Sequence, residues 1–135
     1  MSARRQIVPP DFTPVMGAYS HGLSVALTPA TRMIFVTGQI AMDAAGAAVA
    51  PGDAAAQAEF VFENIKAILA ADGATLDDVV KVQIFLTDMN DFAKVSPVRN
   101  RYLERAKPVS TLVEVSRLVK DGCCVEIEVI AMVEK

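Results

Sequence analysis

Apolar and polar positions divide the chain into short extended runs and two helical stretches. Leu23 to Leu27 and Met33 to Thr37 are apolar runs separated by Thr28-Pro29-Ala30-Thr31, a turn signal, and together they predict two antiparallel strands. Gly38 is expected to end the second strand, where backbone turns sharply or passes close to another group. Residues 1–18 carry Pro9, Pro10 and Pro14 and read as an irregular lead-in, and residues 42–52 read as a loop. After Asp53, an apt N-cap, the period changes. Ala58, Val61, Phe62, Ile65, Ile68 and Leu69 recur at helical spacing and Gly73 supplies a stop, which predicts a helix over 54–72.

Val79 to Leu86 is rich in β-branched residues and reads as a central strand. Val80, Val82, Ile84 and Leu86 fall on one face, with Val79, Lys81, Gln83 and Phe85 on the other. Asp88 to Phe92 reads as a turn and a short helical lead-in. Ser96 and Pro97 are expected as N-cap and first residue of a second helix reaching about Arg105, with Val98, Tyr102 and the stem of Arg105 facing inward. Strands are expected at 110–116 and 124–133. In the last, Val125, Ile127, Val129 and Ala131 share one face, and Glu126, Glu128, Ile130 and Met132 the other.

The order is ββαβαββ, an α+β arrangement with a mixed sheet and two helices on one face. The uncovered face is expected to carry Leu112, Ile130 and Met132 beside Glu114, Glu126 and Glu128. Such a mixed face suits burial against further copies of the chain better than full exposure.

Composition narrows the function. The 135 residues fit one domain, 1–135, and 53% are hydrophobic, enough for a core without staples. No apolar run approaches the roughly 20 residues of a membrane span, and no apolar core follows the basic start Met1 to Gln6, so a cytoplasmic location without membrane contact is expected. The net charge is −3. The densest basic stretch, Arg99, Arg101, Arg105 and Lys107, is spaced like a solvated helix face, which argues against nucleic acid as a partner. Cys123 and Cys124 are adjacent and read as unbridged thiols. No Cys/His spacing fits a metal, and the single histidine, His21, accompanies no nucleophile-elbow motif.

Several segments, taken together and in order, resemble the YjgF/RidA family, also labelled endoribonuclease L-PSP or translation inhibitor. They are Gly17-Ala18-Tyr19-Ser20-His21-Gly22, Phe35-Val36-Thr37-Gly38-Gln39-Ile40, Ala56-Gln57-Ala58 with Asn64-Ile65, the run Val80 to Phe92, and Pro108 to Val115 followed by Val125-Glu126-Ile127-Glu128. The resemblance implies a chorismate-mutase-like fold and a homotrimer with a central barrel and ligand clefts between subunits. It implies hydrolysis of small reactive imines or enamines, such as 2-aminoacrylate, to a carbonyl compound and ammonia, without metal or organic cofactor. Carried over by position, Glu126 would handle the attacking water, while Tyr19, Thr37, Gly38, Ser96, Ser110 and Leu112 would line the substrate site. Glu114 and Glu128 are expected to be structural.

The chain departs from the family at one telling position. Active deaminases carry an arginine after Pro-Ala, and here Pro108-Val109-Ser110-Thr111 puts Ser110 in its place. Ser96 stands where they usually carry Asn, and Leu112 replaces a frequent Cys. Arg117 falls on the opposite face of an unbroken strand from Ser110, and Arg99 and Arg101 are expected on the covering helix, away from the cleft. Poor use of 2-aminoacrylate follows as an expectation, and a non-catalytic ligand-binding or chaperone-like trimer is the alternative. A ribonuclease is disfavoured by the acidic balance and the single histidine.

Overall fold

The computed structural model describes residues 3–134; residues 1, 2 and 135 of the expected domain lie outside the described residues. The described elements are β1 (Arg4–Ile7), β2 (Gly22–Val25), β3 (Thr31–Ile40), α1 (Ala54–Ala71), β4 (Val79–Leu86), α2 (Phe92–Tyr102), β5 (Val109–Glu114) and β6 (Val125–Glu134). A four-stranded sheet has the order β3-β6-β4-β5. β6 runs antiparallel to β3 and β4, while β4 and β5 are parallel and joined through α2.

α1 forms where the periodicity placed it. Asp53 accepts a hydrogen bond from Ala56 N at 3.1 Å, capping the first turn. At the other end Gly73 takes φ +75°, and Gly73 N and Ala74 N donate to the carbonyls of Ala70 and Leu69, a Schellman ending. Its stripe of Ala58, Val61, Phe62, Ile65 and Leu69 is fully buried against Val82, Ile84, Ile127 and Val129 of the sheet. Each large side chain so buried contributes about 1.5–3 kcal/mol of hydrophobic stabilisation. Gln57 is also fully buried. Its Nε2 donates to Val49 O (3.0 Å), Ala50 O (3.2 Å) and Gly122 O (2.7 Å), and its Oε1 accepts from Cys124 N at 2.8 Å. One amide thus ties α1 to two loops.

Other expectations need correction. The lead-in contains a strand: β1 pairs antiparallel with β2 in a two-stranded sheet, so β2 does not pair with β3. β3 pairs with β6 instead and runs through Gly38 to Ile40, across a register shift between Val36 and Gln39. α2 starts at Phe92, because a 3-10 turn at Met89–Asp91, capped by Asp88 accepting from Asn90 N, runs straight into it. Ser96 is therefore no N-cap, and Pro97 lies inside the helix. The helix ends at Tyr102, and Arg105 is exposed instead of facing inward. A register shift between Val79 and Lys81 buries Val79 and leaves Val80 half-buried, the reverse of a strict alternation. Finally, Leu112 pairs with Ile84 on the helix-covered side and packs against the core, so it is not on the open face. Glu114 turns to accept from Met89 N at 2.8 Å, a structural role. Met132 is buried, while Glu126, Glu128 and Ile130 are half-buried.

Candidate functional site

The expected site residues fall into two groups on opposite sides of the sheet. The first lies on the open face. Glu126 on β6 stands opposite Ile40 of β3 and Phe85 of β4. Its carboxylate lies across the backbone of Gly38: a methyl group there would stand 3.0 Å from Glu126 Cγ, 2.8 Å from Cδ, and closer still to Oε2. Gly38 is therefore needed for the close approach of a side chain, not to end a strand. Thr37 is exposed beside it, its carbonyl accepting from Gln39 Nε2 at 3.1 Å. A groove of about 400 Å³ on the same face is lined by Phe35, Thr37, Lys81, Gln83, Glu128 and Ile130; neither Glu126 nor Ser110 is part of its wall.

The second group sits at the outer edge, on the helix-covered side. Ser20 bridges to Val109, its N–H donating to Pro108 O at 2.9 Å and its hydroxyl to Lys107 O at 2.5 Å. This zips the segment before β2 along β5 and brings Tyr19 to the helix. Ala18 N donates to Asn100 Oδ1 at 2.9 Å, and Met16 N to the Tyr19 hydroxyl at 3.2 Å. Ser96 on α2 and Ser110 on β5 flank the same place, both half-buried. Leu112 lies further along β5 in core packing.

Between these residues stands an arginine that sequence reasoning placed elsewhere. Arg99 is not part of a solvated helix face and is not remote from Ser110; it is only 3% exposed. Its Nε donates to Asn100 Oδ1 (3.1 Å), Nη2 to Ser96 Oγ (3.3 Å), and Nη1 makes a long contact with Ser110 Oγ (3.5 Å). The guanidinium lies 5.2 Å from the centre of the Tyr19 ring. A methyl group on Gly17 would come within 2.6 Å of Nη2, so this glycine too is fixed by a close approach. Burial lowers the pKa of Arg99 from the ordinary arginine value, and the nearby Tyr19 opposes that shift. The signal was present in the sequence: Val95, Val98, Arg99 and Tyr102 are spaced as the inner stripe of one helix. Arg101 and Arg105 do face solvent and approach Glu59 (2.8 Å) and Asp77 (3.6 Å).

The two groups are far apart within one chain. Ser110 pairs with Val82, which pairs with Val129, three residues from Glu126. Two strand spacings and three residues amount to roughly 14 Å between backbones, with side chains on opposite faces. No small molecule touches both in a single chain.

The remaining reactive side chains are quiet. Cys123 and Cys124 are unbridged and buried, and burial pushes both thiols up from their ordinary pKa. The His21 ring is engaged with Thr13 O at 2.5 Å. Among the described residues no cluster of His, Cys, Asp and Glu could hold a metal ion, and no helix is long and apolar enough to cross a membrane.

Known proteins share this architecture. The model of the family described as Endoribonuclease L-PSP matches residues 12–133. A RutC family protein of Pyrococcus abyssi is 45% identical over 119 residues, covering 88% of this chain and 89% of that protein. A 2-iminobutanoate/2-iminopropanoate deaminase of Bos taurus is 37% identical over 117 residues, covering 87% and 81% respectively. Among solved structures, the Rid family protein YyfB of Yersinia pestis superposes with a TM-score of 0.84 at 28% identity, covering 96% of this chain and 98% of that one. With a family match across nearly its whole length, and with relatives and a fold that agree with it, the chain belongs to the YjgF/RidA family.

Proposed function

We propose that this protein hydrolyses a small reactive imine or enamine to a carbonyl compound and ammonia. The observation that carries the reading is the Glu126 carboxylate laid across Gly38, where the missing Cβ lets the carboxylate lie against the strand backbone at the half-buried open face of the sheet. Glu126 positions that water and takes its proton as oxygen attacks the imine carbon. The bond from carbon to nitrogen then breaks, and nitrogen leaves as ammonia with the protons it collects. The named activity of the Bos taurus relative supports this reaction class.

The site is completed by a second copy of the chain. The open sheet face supports this, because Met33 (51%) and Phe35 (69%) are exposed on it beside Glu126, Glu128 and Ile130. A closed ring of copies, a trimer around a barrel of sheets, would bury that face and bring the edge of one chain to the Glu126 of another. The roughly 14 Å separation inside one chain favours, as the second reading, a protein that holds a ligand without turnover. A ribonuclease role is disfavoured by the net charge of −3 and by the pairing of Arg101 with Glu59 and of Arg105 with Asp77.

The test is ammonia release from freshly generated 2-iminopropanoate, in wild type and Glu126→Ala, with the oligomeric state measured in parallel by sedimentation. Turnover lost in Glu126→Ala supports the enzyme. Equal ammonia release with and without protein, in an assembled sample that still binds 2-oxo acids, moves the protein to the binding reading.

A further inference from the structure

We propose that Arg99, together with the hydroxyls of Ser96 and Ser110, forms the seat for the carboxylate of the substrate, so that the charge is delivered from helix α2. This deepens the deaminase reading and rests on it for the reaction, but not for the binding.

Arg99 is a buried cation without a counter-charge. At 3% exposure it has given up water, yet its hydrogen-bond acceptors are an amide oxygen and two hydroxyls, all neutral. Among the described residues no carboxylate forms an ion pair with it. Three arginines at the surface differ: Arg32 meets Asp72, Arg101 meets Glu59 and Arg105 approaches Asp77. Arg4 bonds the carbonyls of Val79 and Ala106 with Asp78 and Asp77 acting on its charge. A desolvated charge met only by neutral dipoles is costly, and an arriving anion relieves that cost.

The shape of the place selects the anion. Nη1 and Nη2 point at Ser110 and Ser96 through contacts of 3.5 and 3.3 Å, long enough for either serine to turn away. A planar guanidinium presents two parallel N–H groups that match the two oxygens of a carboxylate. The serine hydroxyls, now accepting, can rotate to donate to the same oxygens. Both serines are half-buried while Arg99 is buried behind them, so an anion would reach the guanidinium past their hydroxyls. Tyr19 covers one side with its ring and Gly17 holds the backbone against Nη2, which fixes the fork in place. The expectation that Ser110 leaves this chain without a cation is thereby reversed: a 2-imino acid finds one eleven residues earlier, on the helix.

Binding is tested on the assembled protein by titrating pyruvate, the 2-oxo acid expected from 2-iminopropanoate, against its uncharged amide, following chemical shifts and calorimetry. Wild type is expected to bind pyruvate, to lose affinity with salt, and to bind the amide at least 10-fold more weakly. Arg99→Gln is expected to lose about 30-fold or more in pyruvate affinity, and Arg99→Lys to recover part of it. If Arg99→Gln fails to fold, Ser96→Ala/Ser110→Ala keeps the charge, and a several-fold loss of pyruvate affinity with an unchanged amide titration is expected. Equal binding of pyruvate and amide, wild-type affinity in Arg99→Gln, or no pyruvate binding overturns the proposal and leaves Arg99 as a clasp for the Gly17–Tyr19 segment. Pyruvate binding without ammonia release would sink the deaminase reading alone. Ammonia release indifferent to Arg99 would sink the carboxylate seat alone.

Discussion

Gly38→Ala separates the role of a backbone position from that of the side chain lying on it. The new Cβ would stand 2.8 Å from Glu126 Cδ and nearer to Oε2. Ordinary carbon contacts begin near 3.5–4.0 Å, so the carboxyl carbon must retreat by about 1 Å. The carboxylate is the free end of a flexible side chain, so the fold is expected to survive. An off-rotamer Glu126 costs about 0.5–1.5 kcal/mol, and replacing a strand glycine returns about 0.5–1 kcal/mol. The net change in unfolding free energy is therefore expected within about 1 kcal/mol of zero. Activity is far more sensitive, because a misplacement of 1 Å costs on the order of 100-fold. The assay pairs urea unfolding with ammonia release for Gly38→Ala, Glu126→Ala and the double variant. Glu126→Ala is expected to lose about 10²–10⁴-fold. In that background Gly38→Ala should cost nothing more, since no carboxylate remains to displace. If Gly38→Ala turns over at the wild-type rate, or if its loss simply adds to that of Glu126→Ala, the contact between the two residues has no part in catalysis.

Three further outcomes test the fold and the second residue group. Gln57→Ala removes the amide that serves Val49, Ala50, Gly122 and Cys124, and should destabilise the protein by about 1–3 kcal/mol or more in urea melts; a wild-type midpoint would show that water replaces it. Gly17→Ala would press on Arg99 Nη2 and Asn100 Oδ1 and should weaken pyruvate affinity while leaving Glu126 in place; titration against wild type reads this directly. The thiols of Cys123 and Cys124 are raised by burial, so the fold favours their neutral forms. The stability this carries is complete below about pH 8.5, the ordinary unfolded thiol value, and is lost as pH climbs through the raised folded values. Comparing urea melts at pH 7 and pH 10, wild type should lose more stability than Cys123→Ala/Cys124→Ala; equal losses would mean the thiols titrate alike in both states.

The second residue group changes how a missing family residue is read. Ser110 in the expected arginine position suggests a cleft without charge, if the strand is considered alone. The fold places Arg99 against that serine from the neighbouring helix, with Ser96 and Tyr19 around it. A charge can thus stand beside a strand position that is neutral in the sequence, carried there by the neighbouring helix. The open sheet face carries the complementary lesson, since its Glu126 and Gly38 lie on the other side of the sheet from Arg99 within one chain.

The sequence by itself determined what short-range forces decide. Helix α1 was legible because its 3.6-residue apolar period, its Asp53 cap and its Gly73 ending agree locally, and the two-residue period of β6 was legible for the same reason. Gly38 and Glu126 stood out as candidate site residues through the resemblance of their segments, and their close approach was not legible. The tertiary structure alone decided the rest. β2 takes β1 as its partner and β3 takes the long β6 from the far end of the chain, although the other edge of β3 stays unpaired in its sheet. The register shift at Val79 and the early start of α2 come from how each element meets its neighbours, which no local period records. That Gly38 is bare for the sake of Glu126, and that Arg99 is buried beside Ser110, are contacts between residues distant in the chain. Alternation and spacing tell which way a side chain points from its own element; only the packing of elements tells what it meets there.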